Sequence, residues 1–263
     1  MSKWLADLLW KLWYPYLTRL AGSAPVSFLN YGYVDDSPPI ALEPEDEPDR
    51  ACIQLYHRVA GAADLQGLDV LEVSCGHGGG ASYVARYLGP RSMCGIDRNA
   101  RAVRLCRERH GSAGVTFSVG DAQGLNFAGG SFDAVINVEA SHCYPNIERF
   151  FGEVVRVLRP GGHFLYADFR ETNPHRAILE WQLKESGLEV VRADDITANV
   201  LRGMRANTQK YRDLVGRLVP RLLRKAALSF AGVEGSAIYK ELETEKTCYL
   251  AYHLRKALMV SPE

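Results

Sequence analysis

Apolar residues recur along this chain with two periods. Short runs at Leu68–Val73, Ser92–Asp97, Val115–Gly120, Ala134–Val138, His163–Asp168, Leu188–Ala193 and Thr247–Leu254 read as strands. Between them, Ala81–Leu88, Ala100–His110, Ile147–Leu158 and Ala177–Ser186 place apolar side chains at helical spacing, as does Arg50–Ala60 ahead of the first strand. Strands alternating with helices at this spacing predict a mostly parallel sheet covered on both faces. Right-handed crossovers then leave a doubly wound α/β fold. The alternation breaks at Thr197–Phe230, which is mostly helical and lies between the last two strands. Such an insertion predicts a lid over the carboxyl edge of the sheet. The expected organisation is a helical cap and connector at 1–49, a Rossmann-like core at 50–196, a helical lid at 197–246, and the last strand and a tail at 247–263.

The N-terminus has its own pattern. Trp4, Leu5, Leu8, Leu9, Leu12, Trp13, Tyr16, Leu17 and Leu20 form an apolar stripe at helical spacing, interrupted by Lys3, Asp7 and Lys11. Those charges exclude a membrane span, and no cleavage site marks a signal peptide. The stripe fits a helix packed on its own domain or lid, or one in peripheral contact with a membrane. Ser37–Asp49 is rich in proline and acid and reads as a connector.

Composition narrows the class. At 263 residues, 47% hydrophobic and 24% charged, the chain can bury the core of one large domain. Lysine plus arginine equals aspartate plus glutamate, 31 of each, so no basic field asks for nucleic acid. The six cysteines show no CxxC pair and no metal-ligand spacing. Reduced thiols and a cytoplasmic location are expected. The arginines of the lid segment read as a solvated face, with acidic lipids or a charged substrate as the alternative.

Candidate chemistry begins where the first strand meets Gly76-His77-Gly78-Gly79-Gly80-Ala81. A glycine turn between a strand and a helix N-terminus lets backbone N–H groups approach a nucleotide-like ligand. The pattern fits a dinucleotide fingerprint, and Asp97 falls where an acid would bind a ribose. An NAD-dependent oxidoreductase is therefore one reading. Glu72, inside the strand, is awkward beside a pyrophosphate but suits a cationic ligand such as S-adenosylmethionine. Gly120-Asp121-Ala122 closes the third strand, Ser131-Phe132-Asp133-Ala134-Val135 opens the fourth, and Val157-Leu158-Arg159-Pro160-Gly161-Gly162-His163-Phe164 turns into the fifth.

These blocks, in this order, resemble a class I S-adenosylmethionine-dependent methyltransferase from Gln54 to Arg255. Asn137-Val138-Glu139-Ala140-Ser141-His142-Cys143-Tyr144, the glycine loop and Asn30-Tyr31-Gly32-Tyr33 narrow the resemblance to the mycobacterial phthiotriol/phenolphthiotriol dimycocerosate methyltransferases. Natural-product sugar O-methyltransferases are more distant. The resemblance implies O-methylation of a hydroxyl on a polyketide, glycolipid or related secondary metabolite, with S-adenosylhomocysteine as product. It places Glu72, Gly76 and Gly78 around the methionine part of the cofactor, Asp97 at the ribose, and Arg98 beside the adenine; His77, in the same loop, is expected to face the cofactor rather than the acceptor. Asp121, Ala122 and Gln123 match the adenine block, and the Asn137 carbonyl is matched to the cofactor's ammonium. Most of the superfamily has glycine where Ser74 stands, and a serine there is expected to keep negative φ.

His142 lies just past the fourth strand and Asp168 ends the fifth, the two positions at which the sugar O-methyltransferases pair a histidine with an aspartate. His142 is the candidate general base, oriented by Asp168. Glu139 and Tyr144 are candidate acceptor contacts. Tyr31 is a candidate acceptor contact and Tyr33 a cofactor contact, both closing over the site. Met204 and Tyr211 are acceptor contacts on a lid face that also carries Leu201, Leu214, Leu218, Leu222 and Leu223. That face suits a large hydrophobic acceptor. His57 and His110 sit on predicted helices with no recognisable partner. No acid cluster suggests a metal site, so none is expected. Methylation at carbon, the oxidoreductase, and a module that holds the cofactor without turnover stay as alternatives.

Overall fold

The computed structural model describes residues 26–258 apart from 112 and 113. The stripe read at 1–20 and the end of the tail lie outside the described residues. Strands β1 (Asp69–Val73), β2 (Ser92–Asp97), β3 (Val115–Val119), β4 (Phe132–Val138), β5 (Leu158–Glu171), β6 (Leu188–Asp195) and β7 (Thr247–Lys256) form one sheet in the order β3-β2-β1-β4-β5-β7-β6. β1 to β5 pair in parallel, while β7 runs antiparallel between β5 and β6. The helices are α1 (Arg50–Ala60), α2 (Gly79–Tyr87), α3 (Ala100–His110), α4 (Ile147–Val157), α5 (His175–Glu185), α6 (Thr197–Leu218), α7 (Arg224–Phe230) and α8 (Ala237–Glu243). The last three occupy the insertion between β6 and β7. All the expected strands are present; β5 is longer than expected at both ends, because Leu158 already pairs with Phe132 of β4 and the pairing with β7 continues to Glu171 opposite Thr247.

Period-2 alternation sorts the core into two faces. Val70, Ala134, Ile136, Leu165, Ala167, Tyr249 and Ala251 pack with α1, α2 and α6 on one side. Leu71, Val73, Val135, Phe164, Tyr166, Leu250 and Tyr252 pack with Phe150, Phe151 and Val154 of α4 and Leu179 and Leu183 of α5 on the other. Helix starts are set by side chains. Asn99 accepts from the Arg101 and Ala102 amides, Asn146 from Arg149, and Ser236 from Tyr239.

The connector is pinned to the core rather than loose. Asp46 receives both terminal nitrogens of Arg86 at 2.7 and 2.8 Å, and Asp49 pairs with Lys210. The entry segment crosses α6 glycine on glycine. A Cβ on Gly203 would lie 2.3 Å from the Gly32 carbonyl carbon, and Gly32 itself holds φ +87°. This contact docks Asn30–Tyr33 against the inserted helices. Gly152, by contrast, faces open space on the exposed side of α4.

These two glycines should therefore respond oppositely to a methyl group. Gly152→Ala is expected to stabilise by about 0.5–1 kcal/mol through helix propensity. Gly203→Ala, also inside a helix, is expected to destabilise by about 1–3 kcal/mol through overpacking. Paired urea unfolding of the two variants checks the contrast.

Candidate active site

The strand order reverses direction between β1 and β4, and open α/β sheets bind ligands at that switch, beyond the carboxyl ends of the strands. Both strands end there in left-handed backbone at a non-glycine residue: Ser74 at φ +60° and Glu139 at φ +49°. Ser74 thus departs from the negative φ expected of it. The turn geometry that glycine usually supplies is kept, and the serine side chain takes on a partner. Its Oγ lies 2.6 Å from the Tyr144 hydroxyl, which accepts from Asn137 Nδ2 at 2.9 Å. The Tyr144 ring meets Phe150 of α4 edge-on at 4.9 Å. Tyr144 therefore ties the β1 turn, the end of β4 and α4 together, and in this state its hydroxyl faces the glycine turn.

The turn itself runs through Gly76 (φ +57°) and Gly78 (φ +83°) into α2. A Cβ on Gly78 would press on Cys106, His110 and Phe117 at 3.0–3.1 Å. Asp97 at the end of β2 accepts the Gly76 amide at 3.0 Å and the Asn99 amide at 2.8 Å. Glu72 is buried beneath the turn, with Oε1 accepting from Tyr56 at 2.6 Å. Tyr56 reaches it across Gly80, where any Cβ would fall 2.0 Å from the tyrosine ring. Burial pushes the Glu72 carboxyl up to about 7 against the pull of the Tyr56 hydrogen bond. Glu72 Oε2 and Asn137 Oδ1 are buried acceptors with no hydrogen-bond partner among the described residues. Unmatched buried acceptors beside a glycine turn are what a cationic ligand would satisfy. His77 is buried, with Nδ1 3.0 Å from the Val26 carbonyl, and burial holds its imidazole down to about 4, hence neutral.

Past β4, a 3-10 turn at Ser141–Cys143 presents His142. Asp168 does not end β5 as expected but lies one residue past its pairing with β4, fully buried; it accepts the His142 Nδ1–H at 2.8 Å, the His142 amide at 2.8 Å and the Ser141 hydroxyl at 2.6 Å. Arg170 Nη1 lies 3.0 Å from the same carboxylate. Burial alone would pull the imidazole down, but Asp168 outweighs it and raises His142 to about 10. The same partners hold Asp168 well below the usual carboxylate range despite its burial. The ring rests on Phe169 at 4.2 Å, and a fifth of the side chain (20%) stays open. With Nδ1 committed to Asp168, it is the other ring nitrogen that can turn to an acceptor, and the Cys143 thiol lies beside the ring.

Glu139 accepts from the Tyr31 amide and the Tyr249 hydroxyl, each at 2.9 Å, and burial pushes it up to about 8. Tyr31 packs on Phe169 at 5.7 Å, within reach of Gly232 and Met204, so it joins the lid to the His142 wall. The other expected residues are more dispersed. Tyr33 turns into the core, its hydroxyl spent on Asp35 at 3.0 Å, and does not close over the turn. Tyr144 meets the turn after β1 rather than the inserted helices. Arg98 and Asp121 are exposed, Asp121 accepts the Gln123 amide, and Ala122 is buried. The Gln123 side chain accepts the Asn146 amide at 2.8 Å. Tyr211 lines an apolar cavity of ≈ 90 Å³ with Val26, Phe28, Leu214, Leu218 and Phe230. Leu222 does not belong to the inner face of the lid: it is 92% exposed. His57 has a partner after all, the Tyr83 hydroxyl at 2.7 Å. Ser141, Arg170, Tyr56 and Phe169 escaped the sequence reading. Arg170 alone had a readable signal, since it lies two residues beyond Asp168 on a strand and so shares its side.

No group of three metal-ligating side chains occurs among the described residues. A seven-stranded sheet with one antiparallel strand, a glycine turn after β1 and an acid ending β2 define the class: an S-adenosylmethionine-dependent methyltransferase. The family model for a methyltransferase domain matches residues 71–166. The chain belongs to the family of the phthiotriol/phenolphthiotriol dimycocerosates methyltransferases. It is 48% identical to that enzyme of Mycobacterium leprae over 251 residues, 94% of this chain and 92% of the relative. It is 45% identical to a fatty-acid O-methyltransferase of Mycolicibacterium smegmatis over 245 residues, 92% of this chain and 88% of the relative. In fold it resembles the [4+2]-cyclase SpnF, with a TM-score of 0.71 at 23% identity over 96% of this chain and 95% of that one. Among the described residues no helix is long and apolar enough to cross a membrane.

The Ser74–Tyr144 contact yields a coupled pair of variants. Tyr144→Phe and Ser74→Gly are each expected to lower kcat about tenfold by loosening the turn against the His142 segment. The double variant should cost little more than Tyr144→Phe alone, because both remove the Ser74–Tyr144 contact and only Tyr144→Phe also takes the acceptor from Asn137. A double-mutant cycle on single-turnover rates, with unfolding midpoints alongside, checks it.

Proposed function

We propose that this protein transfers the methyl group of S-adenosylmethionine to a hydroxyl of a hydrophobic polyketide, glycolipid or related natural product, with His142 as general base. The observation that carries the reading is the Nδ1–H of His142 donating to buried Asp168 at 2.8 Å, at the carboxyl edge of the sheet beside the cofactor turn. An aliphatic hydroxyl is a poor nucleophile, and methyl transfer is an in-line displacement. The residue that takes its proton must sit at the meeting point of acceptor and cofactor. Bound S-adenosylmethionine supplies the electrophilic methyl group.

Glu72, Gly76, His77, Gly78, Asp97 and Asn137 would hold the cofactor, with Arg98, Asp121, Ala122 and Gln123 toward its adenine. The unmatched Glu72 Oε2 and Asn137 Oδ1 fit its positive charge. His142 takes the acceptor proton on the nitrogen opposite Asp168, which fixes the tautomer and stabilises the imidazolium that forms. Glu139, carrying its proton at neutral pH, offers a hydrogen bond to the acceptor oxygen without adding a charge. Tyr31 and the inserted helices, with Met204 and Tyr211, shield the transfer from water. Relatives named for phthiotriol and for fatty acids support a lipid acceptor, and the apolar cavity beside α6 supports an alkyl part.

Titration of the purified protein with S-adenosylhomocysteine and with NADH comes first; micromolar binding of NADH alone would sink the reading. A screen of hydroxylated lipids follows, with His142→Ala expected to lose about 10²–10⁴ in kcat while S-adenosylhomocysteine affinity stays within threefold.

Protonation gives two further outcomes. Because Asp168 raises His142 to about 10, the base form grows only above neutral pH. Single-turnover rate should therefore climb with pH along a limb that lies well above that of an unperturbed histidine. Asp168→Asn removes the charge that raises it, so the limb should move down in pH as the rate falls. Glu72, at about 7 without ligand, should ionise when a cation binds. S-adenosylmethionine should bind more tightly as pH rises through 7 and release protons, and calorimetry in buffers of different ionisation enthalpy reads that release.

A further inference from the structure

The turn between α6 and α7 carries a composition that its packing does not explain. Leu222, at its tip, is 92% exposed, more than any other large apolar side chain among the described residues. Between Asp213 and Glu234 the chain carries Arg217, Arg221, Arg224 and Lys225 and no carboxylate. Arg217, Arg221 and Lys225 are exposed and appear in no ion pair among the described residues. Arg224 donates to the Val219 and Gly216 carbonyls at 3.0 and 2.6 Å, which fixes the turn and holds Leu222 outward. The apolar side chains on either side of the tip do the opposite. Leu218, Val219, Ala227 and Phe230 point inward and wall the cavity that His77 closes at the cofactor turn.

We propose that this turn docks on an anionic lipid bilayer, with Leu222 entering the interface and Arg217, Arg221 and Lys225 lying against headgroup phosphates. Charge selects the occupant. A run of basic side chains without a carboxylate complements an anionic surface, where each contributes about fivefold to partitioning. One protruding leucine amid those charges suits interfacial depth, whereas a protein partner would need a broader apolar patch. The same turn walls the apolar cavity, so docking would bring that cavity to the surface where water-insoluble acceptors reside. That purpose rests on the lipid-acceptor reading above; the docking itself does not.

Vesicle flotation of the full chain tests the proposal. Vesicles of phosphatidylcholine with about one phosphatidylserine in four lipids should retain the protein at least tenfold better than pure phosphatidylcholine, and raised salt should abolish the difference. Arg221→Glu with Lys225→Glu should weaken retention by more than about tenfold, and Leu222→Ser by about fivefold. All these side chains are exposed, so S-adenosylhomocysteine affinity should not change. Failure of the unaltered protein to float with phosphatidylserine overturns the proposal. So does undiminished flotation of the charge-reversed or Leu222→Ser variants, which would put the contact elsewhere on the chain. Loss of S-adenosylhomocysteine binding in the unaltered protein would count against the methyltransferase reading alone.

Discussion

A carboxylate with no solvent exposure sits within β5, and the arrangement around it follows from the need to keep it charged. Removing one partner from such a buried pair costs about 3–5 kcal/mol, so its environment has to be complete. Asp168 meets that demand with donors from four residues: the Ser141 hydroxyl, the His142 amide and ring, its neighbour's amide at Phe169, and Arg170. Three of these donors, on Ser141 and His142, belong to the 3-10 turn after β4, so neutralising Asp168 also fixes where that turn sits. Arg170 in turn donates to Ser141 Oγ at 2.6 Å and the Tyr166 hydroxyl at 3.0 Å, which closes the network on itself. The imidazole is thereby held at one height above the sheet edge before a ligand arrives. A site that must align an in-line transfer gains from that preorganisation.

Backbone strain gathers in the same crevice. Ser74 and Glu139 are two of three described non-glycine residues at positive φ, and they face each other across the switch point. Each costs on the order of 1 kcal/mol relative to ordinary backbone. Each has a side-chain partner that offsets the cost: Tyr144 for Ser74, and Tyr31 with Tyr249 for Glu139. The strands are thus turned sharply away from the crevice on both sides, leaving room between them.

The fold was legible because its signals are local. Alternation and glycine punctuation located the strands and the inserted helices. Asn99 capped the helix expected at Ala100. The pairing of His142 with Asp168 was legible through resemblance. What escaped the sequence depends on distance in space. Tyr56 reaches Glu72 only because Gly80 leaves the gap, a contact between α1 and the start of α2 that no periodicity encodes. Tyr33 and Tyr31 are near neighbours in the chain, yet the glycine between them sends one into the core and the other to Phe169. Leu222 fits a helical apolar stripe, but the chain turns at Pro220, the stripe ends, and the leucine is left outside.

The aromatic stack links the two halves of the site. His142, Phe169 and Tyr31 succeed one another at 4.2 and 5.7 Å, and the Tyr31 amide is bound by Glu139. Beyond Tyr31 come Gly232 and Met204 of the inserted segment, packed so closely that a Cβ on Gly232 would lie 2.6 Å from the tyrosine ring. A displacement of the inserted helices therefore cannot leave Tyr31 where it is, and Tyr31 cannot move without disturbing the Glu139 carboxyl and the face on which the imidazole rests. Packed interiors transmit such shifts because they have no slack. Entry of an acceptor between the helices and the sheet would thus be felt at His142 through direct contact, with the entry segment, docked glycine on glycine against α6, moving as part of the same body.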